Sequence, residues 1–522
     1  MAGVVDNHQG PQQLQSPDYR TAIGLFLVGL VSHLVRLDHW VPLPDEVNYA
    51  LCAQHLLKEH SLTSSNIMFF PPLFVYLAAL LQSLRVELLM SVRLVSAVFG
   101  AAVIPFITLI LTPYYGRAVA RTSGLLLLPF YSLNAYSRLG QVEALLLALL
   151  TLSFLTLTLG TGHGRRRYLF LAGVTLGLAL WAKEVALGST VAALLFILVT
   201  RRDRLGSFLV FILGWLGLAA PLLLIGRSVG TGLLFELSAA RGYDINMQPL
   251  PPFKALVTTG ANIIFNLVPR CFNPLELAVF LLLGLPFLLL VFWLTIRQAL
   301  RRRPFPLLVM CYLLIHLPFF VLFSRRFHYY LLAPALLLLT VAVAESLAGL
   351  RADPSIGTQP VSRKWAVVTL IPATLLLAFN IYADGYLYFD RGTHQSFRSA
   401  LLGLRPGLVL ASSHPELTRY IADRENLNLT VLPLFKPDSY AINWAVVDSP
   451  TVSAVLVKQF YYDVLAVRDS TEWRRLTQRY PQVHRELDAR WSFRIPATGP
   501  FRTCILAISR TTRPVGVVLF RR

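Results

Sequence analysis

Asp45 and Glu46 stand side by side just after the first long apolar segment, within Val41-Pro42-Leu43-Pro44-Asp45-Glu46-Val47-Asn48-Tyr49-Ala50. Charged side chains are costly close to hydrocarbon, so adjacent carboxylates at a membrane surface read as functional by default. A carboxylate there can take the proton from a hydroxyl or amine as that group attacks an electrophile. Partial burial would favour its neutral form and so raise its proton affinity, which suits a base. The plainer reading of the same residues is a helix start, with Pro44 and Asp45 opening the helix and Glu46 complementing its dipole.

Three further groups carry chemistry. Arg138-Leu139-Gly140-Gln141-Val142-Glu143 ends in a second acid, and Lys183-Glu184 closes another apolar segment. Ser324-Arg325-Arg326-Phe327-His328-Tyr329-Tyr330 is cationic and aromatic. Arg138, Lys183, Arg325 and Arg326 are candidates to stabilise a leaving phosphate. Asp45 is the first choice for the base, with Glu46 beside it and Glu143 as the assisting acid. Tyr49, Glu184, His328 and Tyr329 are candidate substrate contacts. Each has a structural alternative: snorkelling for Arg325 and Arg326, a local ion pair for Lys183-Glu184, a dipole-favoured acid for Glu143, and an aromatic belt around His328.

The elements that must position these groups are membrane spans. Of 522 residues, 55% are hydrophobic and 14% are charged, against about 25% charged in soluble domains. Apolar runs at about 21–37, 91–112, 122–133, 144–159, 168–181, 185–199, 207–225, 275–296, 306–323, up to 350 and 365–383 predict about eleven spans. The piece at 73–84 is short for a span and reads as an interfacial helix, as does the segment 46–58. The net charge of +20 sits in Arg clusters between spans (Arg117/Arg121, Arg165 to Arg167, Arg201 to Arg204, Arg297 to Arg303, Arg351 to Lys364), which is a cytoplasmic-loop pattern and not a nucleic-acid groove. The mixed-charge loops, which hold every candidate above, then face outward. Residues 1–20 read as a disordered cytoplasmic N-terminus without signal-peptide features, 21–383 as the membrane core, and 384–522 as an outward α/β domain. In that tail 408–411, 429–434, 444–447 and 504–508 read as strands, and 415–424 and 470–480 as helices. Cys52, Cys271, Cys311 and Cys504 have neither disulfide-framework nor metal spacing.

Pro44-Asp45-Glu46 after the first span and Pro71-Pro72-Leu73 at the end of the loop resemble the first extracytoplasmic loop of dolichyl-phosphate-mannose protein mannosyltransferases, a pattern shared by the lipid A aminoarabinose transferase. Arg93-Leu94-Val95-Ser96-Ala97, Tyr115-Gly116-Arg117, Ser137-Arg138-Leu139 leading to Glu143, the segment 173–182 before Lys183, and Ser324 to Tyr330 before Leu331-Leu332-Ala333-Pro334 follow in the family's order. The resemblance covers about 21–347. It departs at Phe70, preceded by Phe69 and Met68, where members often have a basic residue, and around Asn48, where a basic residue is replaced.

The resemblance implies the GT-C fold: an α-helical multi-span core, interfacial helices in the first outer loop, and an outward soluble domain. It implies an inverting glycosyltransferase of the plasma (inner) membrane with its active site on the extracytoplasmic face. The donor would be a polyprenyl-phosphate sugar, acting as co-substrate, and the acceptor a glycan, lipid or protein. No cofactor and no essential metal are expected. A transporter or lipid flippase is the first alternative; it would need ionisable residues midway through spans, and the spans are nearly free of charge. A non-catalytic protein that binds lipid-linked glycans is the second.

Overall fold

The computed structural model describes residues 18–38, 44–60, 63–64, 67–68, 72–201, 203–228, 256, 259–260, 263–264, 266–267, 280–323, 332–351, 361–389, 395–436, 442–458, 470–487 and 516–521. Among the described residues, six helices are long and apolar enough to cross a membrane, and four shorter helices are apolar as well. The protein is a multi-pass membrane protein.

Helix α1 (Tyr19–Leu34) begins at Asp18, whose carboxylate accepts from the Thr21 N–H at 3.3 Å and the Thr21 hydroxyl at 2.7 Å. These bonds satisfy groups that a helix start leaves open. Ile23, Leu27, Val28 and Val31 are exposed along one side of α1, as expected of a face turned to lipid. Helix α2 (Pro44–Glu59) and helix α3 (Leu73–Ser83) follow, separated by a two-stranded ribbon, β1 (Thr63–Ser64) and β2 (Ile67–Met68). The 11 residues of α3 are too few to cross the hydrocarbon.

Helix α4 (Leu88–Leu127) is continuous in name only. Gly116 has φ 79° and ψ 161°, a conformation closed to other residue types, and the chain reverses there. A Cβ at Gly124, eight residues beyond the turn, would meet Thr108, eight residues before it. The two halves therefore lie antiparallel, matching the two spans expected at 91–112 and 122–133. Helix α5 (Tyr131–Arg138) completes the return, and helix α6 (Val142–His163) starts at the same end as α2.

Helices α7 (Arg166–Ala182), α8 (Ala186–Thr200) and α9 (Arg204–Ser228) follow the expected spans closely. Then come α10 (Leu285–Leu300, entered by a π-helical turn at Phe280–Gly284), α11 (Pro304–Phe323), α12 (Leu332–Arg351) and α13 (Arg363–Phe389). Helix α12 is almost wholly enclosed, whereas α9 and α13 keep large apolar side chains exposed. At one end of the bundle Arg121 pairs with Asp18, and Arg166 pairs with Asp203 at 2.9 Å.

The C-terminal part is an α/β unit. Helix α14 (Gln395–Leu402) leads into β3 (Val409–Ser412), α15 (Pro415–Arg424), β4 (Thr430–Pro433), α16 (Trp444–Val447), β5 (Val452–Lys458), α17 (Ser470–Arg479), β6 (Gln482–Leu487) and β7 (Gly516–Arg521). The sheet order is β4-β3-β5-β7-β6: β3 runs parallel to β4 and β5, while β7 is antiparallel to β5 and β6. The expected strand at 444–447 is instead a helical turn. Its Trp-Ala-Val-Val composition suits a strand, but it is pinned between Asn443 and Asp448, and Val452–Lys458 takes the sheet position. The strand expected at 504–508 lies outside the described residues.

Candidate functional site

Glu46, on the first turn of α2, is fully buried. Its Oε1 accepts from Arg93 Nε at 2.9 Å and from the Gly140 N–H at 2.6 Å; its Oε2 accepts from Arg93 Nη2 at 3.3 Å. Arg93 Nη1 donates to the Leu37 carbonyl at 2.7 Å. One carboxylate thus ties α2, the start of α4, the end of α1 and the turn before α6 together. Glu46 was expected to share in acid–base chemistry with Asp45; in the structure both its oxygens are engaged away from solvent. Asp45, one residue earlier, is exposed.

Arg138 is likewise engaged. Its guanidinium donates to the carbonyls of Ser32 at 2.9 Å, His33 at 3.1 Å and Arg36 at 3.1 Å. Those carbonyls belong to the end of α1, where helical partners run out, and Arg36 itself has φ 53°. Arg138 is buried, closing a helix end. His33 joins the same junction, with Nε2 3.1 Å from Asn134 Oδ1 and Nδ1 3.3 Å from the Ala97 carbonyl.

Glu143 sits three residues past the Gly140 amide that Glu46 holds, in the first turn of α6. Lys183, at the end of α7, donates to its Oε1 at 2.8 Å, and both side chains are buried. Glu143 Oε2 has no hydrogen-bond partner among the described residues. Glu143 lines a small pocket together with Ser189, Tyr312 and His316 and an apolar wall that includes Leu146 and Leu150. His316 stacks on Tyr312 with ring centroids 4.1 Å apart, and its Nε2 lies 3.0 Å from Ser189 Oγ. A Cβ at Gly188 would come within 2.9 Å of the His316 ring, so glycine allows α8 this close approach. The pocket joins a carboxylate oxygen, a hydroxyl and an imidazole to an apolar wall, with room for about one water molecule.

Of the remaining candidates, Tyr49 packs edge-on against Phe74 at 5.0 Å, and Glu184 is buried beside Lys183. Arg325, Arg326, His328 and Tyr329 lie outside the described residues. Among the described residues, no three His, Cys, Asp or Glu side chains are grouped to hold a metal ion. Sequence reasoning missed Arg93 as the partner of Glu46, and it missed Ser189, Tyr312 and His316 altogether. One signal was available for His316: an ionisable side chain inside an apolar helix is a functional candidate in its own right.

The model of the dolichyl-phosphate-mannose-protein mannosyltransferase family matches residues 70–225, which hold Arg93, Arg138, Glu143 and Lys183. No curated protein matches the sequence. Among solved structures, ArnT from Cupriavidus metallidurans bound to undecaprenyl phosphate superposes with a TM-score of 0.53 at 16% identity, covering 95% of this chain and 97% of that one. The archaeal oligosaccharyltransferase AglB from Archaeoglobus fulgidus, in complex with an inhibitory peptide and a dolichol-phosphate, superposes with a TM-score of 0.52 at 14% identity, covering 91% of this chain and 75% of that one. The partial family match and the fold shared along nearly the whole chain make this a GT-C fold membrane protein that resembles the dolichyl-phosphate-mannose-protein mannosyltransferases.

Proposed function

We propose that the protein is an inverting membrane glycosyltransferase that moves a sugar from a polyprenyl-phosphate donor to a hydroxyl or amine of a glycan, lipid or protein. The observation that carries this reading is the junction around α2. An exposed carboxylate, Asp45, flanks a buried Glu46–Arg93 pair, and the Gly140 amide held by Glu46 leads directly to the Glu143–Lys183 pair and its cavity. The fold shared with proteins solved with undecaprenyl phosphate and dolichol-phosphate supports the donor class.

In the proposed reaction the acceptor oxygen or nitrogen attacks the anomeric carbon as Asp45 takes its proton. The bond from the anomeric carbon to the phosphate oxygen breaks, and its electron pair leaves with the phosphate. A phosphate needs no proton to depart, so one base suffices and the anomeric centre inverts. Lys183, Arg325 and Arg326 are the candidates to meet the developing charge. Glu143 assists the base or positions the substrate. The plasma membrane is the proposed location, with this end of the bundle on the extracytoplasmic side, because the opposite end gathers the arginine-rich loops.

The test is consumption of undecaprenyl-phosphate and dolichyl-phosphate hexoses by the purified protein in nanodiscs. Asp45→Asn should abolish turnover and leave the thermal unfolding profile unchanged. Normal turnover in that variant would rule Asp45 out as the base.

A further inference from the structure

Three consecutive residues of α2 meet three different neighbours. Asp45 is exposed; Glu46 is sealed into the bundle by Arg93 and Gly140; Val47 is fully buried in the core of the α/β unit. Phe397, Leu401, Leu417 and Ile421 belong to that same core. One turn on, Leu51 packs against it too, while Ala50, Cys52 and Ala53 belong to the core of the bundle. Successive side chains on a helix point about 100° apart, which is how one turn can enter two cores and still leave a third direction open. Tyr420 of α15 packs against both cores at their junction.

We infer that Val47 is a positioning residue: by enclosing it, the α/β unit holds the first turn of α2 and sets the direction in which Asp45 faces. The inference rests on Asp45 being the base. The first N–H groups of a helix have no helical partners, and Pro44 has no N–H, so this turn is weak by itself. The Glu46–Arg93 pair anchors it at one point, about which it could still pivot. Val47, seated in an independent core, supplies the second point and removes that freedom. The C-terminal unit is thereby part of the machinery that orients the base and does not merely cover it.

The structure also supplies the reporter. Cys52 of α2 and Cys311 of α11 are both buried free thiols, one on the clamped helix and one within the bundle. In the full-length protein in nanodiscs of phosphatidylethanolamine and phosphatidylglycerol, N-ethylmaleimide labelling of each is followed by peptide mass spectrometry. Val47→Ala should speed labelling of Cys52 about tenfold and leave Cys311 slow. It should also lower kcat for an undecaprenyl-phosphate hexose about tenfold, because a small misplacement of a reacting group is costly. The donor KM should stay within about twofold of wild type, because the loss falls on the reacting step. Val47→Ile should restore both readouts, and Leu417→Ala, from the other side of the contact, should reproduce the Val47→Ala pattern. Unchanged Cys52 labelling, unchanged kcat, or equal exposure of Cys52 and Cys311 in both alanine variants would overturn the inference. Turnover that survives Asp45→Asn would sink the assignment of the base instead, while the labelling result would still decide whether the α/β unit holds α2.

Discussion

The Glu46 carboxylate and the Arg93 guanidinium face each other through two contacts, at 2.9 and 3.3 Å, with both side chains out of reach of solvent. A buried pair of this kind is vulnerable chiefly to the loss of one member, which strands the other charge; the cost is about 3–5 kcal/mol. Arg93→Ala and Glu46→Ala should each lower the unfolding temperature in detergent strongly, and the double substitution to Met and Leu should lower it less than either. Arg93→Lys should fall between, because an ammonium cannot reproduce the planar fork. A double-mutant cycle of unfolding temperatures checks all of this.

Lys183 and Glu143 form a second buried pair, but this one borders the cavity. Lys183→Met removes the cation proposed to meet the phosphate and should cut kcat about a hundredfold, the scale found for losing one donor to a developing charge. Glu143→Gln can still accept from Lys183 but leaves the buried ammonium without a counter-charge, so its unfolding temperature should fall, by less than for Glu143→Leu, while donor turnover falls too. Paired kinetic and thermal measurements on both variants separate the two roles.

Gly116 reverses the chain at φ 79° and ψ 161°. A side chain there is strained by about 1–3 kcal/mol. Gly116→Ala should lower the unfolding temperature, whereas Gly217→Ala, where a Cβ would meet nothing within 4 Å, should have little effect. Thermal unfolding of both variants in the same detergent provides the comparison.

Asp18 carries a pH signature. The bond from Arg121, and then that from the Thr21 hydroxyl, holds its carboxyl down at about 2 from an ordinary value of 3.8. A depressed folded value means that the stabilisation is complete at neutral pH and is lost as the pH falls from about 3.8 through about 2. Unfolding temperature measured down a pH series should show this loss in wild type, and Arg121→Ala should reduce it. Arg121 is half exposed, so the effect should also shrink with added salt.

Apolar helices were legible because hydrocarbon imposes a length and a composition on any helix that crosses it: the apolar runs at 144–159 and 306–323 fall inside α6 and α11, and the run at 185–199 is offset from α8 by one residue. The reversal at Tyr115-Gly116-Arg117 was legible as a short loop between two such runs. Trp444–Val447 was misread because the same apolar, β-branched composition serves a helical turn or a strand, and the choice fell to the neighbouring Val452–Lys458 strand.

The chain's own order of residues was enough to say that this is a membrane protein and which loops carry its acids and cations, since hydropathy and charge are read residue by residue; the likeness to the GT-C fold came from motifs in a family's order. It could not say which carboxylate is spent on structure. Asp45 and Glu46 are adjacent and chemically alike, yet one is exposed while the other is enclosed by Arg93, which stands 47 positions away, and by Gly140, which stands 94 away. Nor could it say that Val47 enters a core built by residues 397 to 519. Those outcomes depend on which distant groups folding brings within hydrogen-bonding or packing range, and local pattern holds no record of that.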